Sequence, residues 1–129
     1  MLEYTKTFSS YSVDDIQKAK EFYGKTLGLE ISEIPGMQGL IRLHPKGENS
    51  VMIYAKPNHV AAIFTVLNFH VIDVENSVKS LTGKGVKFEI YDLPGLKTDS
   101  NGIMKGNGPT IAWFKDPAGN ILSLIEEKK

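Results

Sequence analysis

The chain has 129 residues, 41% hydrophobic and 23% charged, enough for one compact core of ordinary soluble composition. Its fifteen Lys and Arg balance fifteen Asp and Glu, so no basic excess exists to neutralise phosphates, and nucleic acid is excluded as the main partner. The absence of cysteine excludes disulfides, thiolate metal centres and cysteine nucleophiles together.

In chain order, MLEYTKTFSS shows no apolar run of signal-peptide type, and no segment has the length and hydropathy of a membrane span. The expectation is a cytoplasmic protein without a membrane partner. TFSSYSV alternates as a half-buried strand, with Phe8, Ser10 and Ser12 on one side and Ser9, Tyr11 and Val13 on the other. Asp15 is placed to cap a helix whose apolar stripe is Ile16, Ala19, Tyr23 and Leu27, and Gly28 is placed to end it. LEISEI, LIRLH and SVMIYA read as three short strands separated by the turns PGMQG and PKGENS.

After a short link, KPNHVAAIF, the same order returns. Residues 64–71 form a strand with Leu67, Phe69 and Val71 on one side and Val66, Asn68 and His70 on the other. Asp73 caps a second helix with the stripe Val74, Val78 and Leu81, closed by Gly83 and Gly85. VKFEIYD is the next expected strand, and IAWF and ILSLIEE follow, joined by the turn DPAGN. The two halves also match residue by residue. Thr7, Tyr11, Val13 and Asp15 recur as Thr65, Phe69, Val71 and Asp73 at a constant offset of 58 positions, and Gly28 pairs with Gly85. Patterning alone can produce a likeness of this kind; the constant offset favours a duplicated βαβββ unit, 1–57 and 62–129, within a single domain. The expected fold class is α+β, with tandem βαβββ modules forming a curved mixed sheet around a concave cleft.

The run KAKEFYGKTLGLEIS after V-x-D, and the closing WFKDPAGNILSLIE, resemble the vicinal oxygen chelate superfamily, which includes glyoxalase I, bleomycin-resistance proteins and extradiol dioxygenases. The resemblance spans nearly the whole chain and implies a glyoxalase-like fold. It does not select an activity, because one fold hosts many functions. Metal-dependent members hold a divalent ion with four side chains, usually His or Gln on the first strand of each copy and Glu on the last. Carried onto this sequence, the four positions fall at Phe8, Met52, Val66 and Ser123. Carbon side chains, a thioether and a hydroxyl are a poor set for a dication that wants carboxylate or imidazole donors. Sliding the register by two residues brings Ser10 and Asn68 into place and still supplies no imidazole. Two residues further, His70 stands without partners, and Glu126 has the wrong parity. The expectation is no metal and no other cofactor.

Phe8, Ser10, Ser12, Met52, Tyr54, Val66, Asn68, His70, Ser123 and Ile125 are therefore expected to line the cleft. Apolar walls with a few polar groups suit a small organic ligand, with Phe8 and Tyr54 stacking on it and Asn68 and His70 holding a polar edge. The same residues would also serve as filling for a collapsed cleft. His70 is the one weak candidate for an acid or base; His44 and His59 receive no role. The glycine-rich segment 94–109 reads equally as a lid or as a surface loop, and its glycines lack phosphate-loop spacing. Trp113 and Phe114 read as core or interface. The leading expectation is a metal-free, bleomycin-resistance-like binding protein, with a homodimer as a further possibility. The alternative is a glyoxalase-like lyase or dioxygenase using a relocated metal or His70, and a purely structural or partner-binding module ranks last.

Overall fold

A computed structural model of the chain describes residues 1–46, 50–106 and 108–126. The chain divides into two compact units, Met1–Ala61 and Ala62–Lys129.

The first unit opens with strand β1 (Ser9–Val13) and helix α1 (Ile16–Lys20). Asp15 is extended, and its carboxylate accepts the backbone N–H groups of Gln17 and Lys18 at 3.0 and 3.2 Å. Those N–H groups have no partner within the helix, so the side chain fixes where it starts. The regular helix expected to run to Leu27 stops early. Over Glu21–Thr26 the chain winds as a wider π-helix, and Leu27 N–H reaches back five residues to Phe22 C=O at 2.9 Å. The winding seats Tyr23, fully buried, with its hydroxyl accepting from Tyr11 at 2.9 Å and its ring edge-on to Phe22 at 5.2 Å. Gly28, at φ 73°, then turns the chain out of the helix.

Three strands complete this unit: β2 (Ile31–Glu33), β3 (Leu40–Leu43) and β4 (Val51–Ala55). The turn expected at PKGENS lies partly outside the described residues. The sheet order is β1-β4-β3-β2, with β1 and β4 parallel and the other pairs antiparallel. Val13, Ile41, Leu43 and Ile53 are buried on one face together with Ala19 and Tyr23 of the helical segment. The two-residue period of a strand sends their neighbours to the other face.

The second unit repeats this plan with β5 (Thr65–His70), helix α2 (Val74–Gly83) and, at its end, two longer strands. Asp73 caps α2 by accepting Asn76 N–H at 3.1 Å, and Gly85 at φ 95° follows the helix. The segment VKFEIYD, expected as a strand, is not one. Phe88 bridges Phe114 and Glu89 N–H bonds Trp113 C=O at 2.8 Å, after which Tyr91 bonds Thr98 and Asp92 enters the hairpin that follows.

The glycine-rich connection supplies the missing strand. After a two-stranded hairpin, β6 (Asp92–Leu93) with β7 (Leu96–Lys97), comes β8 (Ile103–Met104). It pairs with Ile111 and Ala112 of β9 (Thr110–Lys115), along the edge that Phe88 and Glu89 reach at Phe114 and Trp113. Asp99 orders the approach to β8 by accepting the N–H groups of Asn101 and Ile103 at 2.9 and 3.0 Å. Gly102, at φ 85°, lets this loop lie directly on Phe88; a Cβ there would stand 2.7 Å from the Phe88 Cβ. Strand β10 (Ile121–Glu126) closes a sheet of order β5-β10-β9-β8. The DPAGN turn before it is built on Asp116, whose buried carboxylate accepts from the backbone of Ala118 and Asn120 and from the Asn120 amide.

Candidate functional site

In each unit the helix covers one face of the sheet, and the residues singled out above lie on the other. In the first unit Ser10 stands beside Met52, and Ser12 beside Tyr54, across the parallel β1–β4 pair. Phe8, just ahead of β1, is 52% exposed and Tyr54 is 36% exposed, so two aromatic rings border this face. Phe8 is therefore not core filling, and Met52 is half-buried. Three contributors were not foreseen. His59 Nδ1 shares a 2.7 Å hydrogen bond with Ser12 Oγ, and His44 Nε2 shares one of the same length with Ser32 Oγ. Arg42 pairs with Met52 across β3–β4, which puts it on the same face, and its guanidinium lies 5.8 Å from the centre of the Phe8 ring. A parity count extended to LIRLH would have found Arg42, whereas no local signal ties His59 to Ser12 across 47 residues.

In the second unit Asn68 stands beside Ser123, and His70 beside Ile125. Ser123 is only 1% exposed, and its hydroxyl donates to Asn68 Oδ1. Val66 sits where the register shifts: Thr65 pairs with Ile121 and Leu67 with Leu122, so Val66 is passed over. A strict alternation counted back from His70 stops being reliable at this irregularity. His70 itself is exposed. Trp113, opposite Ser123 on β9, packs edge-on against Tyr91 at 5.5 Å, while Phe114 faces the core. Burial and the nearby Glu89 carboxylate raise the Tyr91 phenol above its ordinary pKa.

Glu126 has the opposite parity, as its odd distance from Ser123 requires. Its carboxylate accepts Val74 N–H at 2.7 Å and so adds a second acceptor at the start of α2. Among the described residues, no group of three or more His, Asp or Glu is placed to hold a metal ion. A groove of about 620 Å³ runs beside α2, past Val78, Val86, Ile90 and Lys105, and none of the expected site residues lines it. No helix among the described residues is long and apolar enough to cross a membrane.

The family described as bleomycin resistance protein-like N-terminal matches residues 7–40, the stretch that holds β1, the helical segment and β2. Solved structures match over the whole chain. TnmS3, an antibiotic binding protein from Streptomyces sp. CB03234, superposes with a TM-score of 0.70 at 25% identity, covering 98% of this chain and 100% of that one. A glyoxalase/bleomycin resistance protein from the same organism gives 0.65 at 27% identity, over 92% and 96% of the two chains. A member of the glyoxalase/bleomycin resistance protein/dioxygenase superfamily from Sphaerobacter thermophilus DSM 20745 gives 0.68 at 25%, over 95% and 98%. No curated protein matches. In the family match over residues 7–40 and in fold, the chain is similar to proteins of the glyoxalase/bleomycin resistance protein/dioxygenase superfamily.

Proposed function

We propose that this protein binds a small organic molecule on the helix-free sheet faces and does so without the superfamily's divalent metal. What supports the reading is the set of side chains at the four positions that the resemblance assigns to metal ligands. Phe8 and Val66 offer no donor atom, Met52 offers a neutral thioether, and the Ser123 hydroxyl is already committed to Asn68. Such a set neither balances a dication nor polarises a bound carbonyl, so the residues present do not fit the ion. Exposed aromatic rings beside serine, asparagine and imidazole groups are instead the mixture found in small-molecule sites. The likeness to TnmS3, an antibiotic binding protein, supports the same direction.

A thermal-shift screen of planar and amphiphilic compounds, paired with elemental analysis of protein purified without chelator, tests the reading. Concentration-dependent stabilisation by one or more compounds, with no stoichiometric metal, is the expected result. Stoichiometric zinc, nickel, iron or manganese that is lost in His70→Ala would overturn it in favour of a metalloenzyme.

A further inference from the structure

Of the fifteen cationic side chains, fourteen are lysine and one is arginine, and that arginine is Arg42. It projects from β3 onto the helix-free face of the first unit, next to Met52 and Ser10. Its Nε is buried and donates to no acceptor, and no ion pair among the described residues includes it. On the adjacent strand Ser32 bonds to His44, and Glu33, on the opposite face, pairs with Lys20. A buried donor without a partner carries a desolvation cost that native proteins seldom leave uncompensated. One contact does orient the group, namely the Phe8 ring, with its centre 5.8 Å from the guanidinium carbon.

We propose that Arg42 is the anion-recognition group of the binding face and that the ligand is an aromatic carboxylate, its carboxylate paired with the guanidinium and its ring against Phe8. The inference rests on the binding reading above and adds the class of ligand. Arginine suits the task where lysine does not, because its planar fork meets a carboxylate through two parallel hydrogen bonds and lies flat on an aromatic ring. Phe8 and Tyr54, both solvent-accessible on the same face, give the ligand's ring an apolar resting place close to the charge.

The test compares 2-naphthoate with 2-naphthamide, a planar pair of nearly equal size that differs in charge, by calorimetry on the full chain at pH 7. The wild-type protein is expected to bind the acid about tenfold or more tightly than the amide, as charge-assisted hydrogen bonds require. Arg42→Met is expected to remove that preference, so that acid and amide bind alike, and Arg42→Lys to retain part of it. Circular dichroism checks that each variant folds, and the wild-type comparison needs no variant. Equal affinities for acid and amide, or an acid preference that survives in Arg42→Met, overturn this inference and leave the binding reading standing. Binding of neither probe overturns the assigned ligand class, and the compound screen then decides the broader reading separately.

Discussion

The sheets of the two units are built to one plan and differ in how their helix-free faces treat polar groups. In the second unit the buried Ser123 hydroxyl is satisfied by Asn68 on the neighbouring strand. In the first, Arg42 has a buried donor with no acceptor, and it stands beside an exposed Phe8. A self-satisfied pair consolidates structure, whereas the unmatched donor beside an open ring is the feature on which the proposed ligand site rests. The framework beneath these faces differs as well. The first unit reaches its fourth strand by three consecutive strands, while the second inserts a hairpin and the short strand β8. The strand order is shared and the connections differ.

Three experiments bear on the contrast, taken from the largest expected effect downwards. The detour of the second unit depends on Gly102, which combines positive φ with backbone packed on Phe88. Gly102→Ala is expected to destabilise the protein by about 1–3 kcal/mol in urea unfolding, since strain and a clash act together. A cost below a few tenths would show that the loop relaxes freely. Helix starts come next. Asp15 serves two backbone N–H groups and Asp73 one, with Glu126 remaining as a further acceptor for α2. Asp15→Ala is therefore expected to cost about 1–2 kcal/mol and Asp73→Ala about 0.5–1 kcal/mol. Equal or reversed costs in thermal unfolding would remove this distinction between the units.

The smallest effect is alkaline. Burial, then Glu89, raises the folded-state pKa of Tyr91. A raised pKa means that the neutral phenol's contribution to stability is complete below the unfolded value of about 10 and is lost as pH climbs through the higher folded value. The difference between the ultraviolet titrations of the wild type and Tyr91→Phe is expected to show the missing ionisation above the ordinary phenol range. A missing ionisation at or below that range would contradict the raised pKa.

Much of this was legible from residue order. The caps at Asp15 and Asp73, the glycine exits at Gly28 and Gly85, the alternation of Val13, Ile41 and Ile53, and the DPAGN turn all depend on neighbours a few positions away, and composition and spacing report such contacts directly. The same periodicity put Ser10 beside Met52 and Asn68 beside Ser123 once the strands were paired. Other features turned on contacts between distant segments. Residues 88–89 and 103–104 both lie against β9, at Phe114 and Trp113 and at Ala112 and Ile111, and nothing local says that the edge is shared in this way. The π-helical turn follows from the burial of Tyr23 against Tyr11, a partner on another element, and the Val66 irregularity from the pairing of β5 with β10. The unmatched donor of Arg42 is of the same kind, because an unsatisfied group is defined by everything that surrounds it, and those surroundings exist only after the chain has folded.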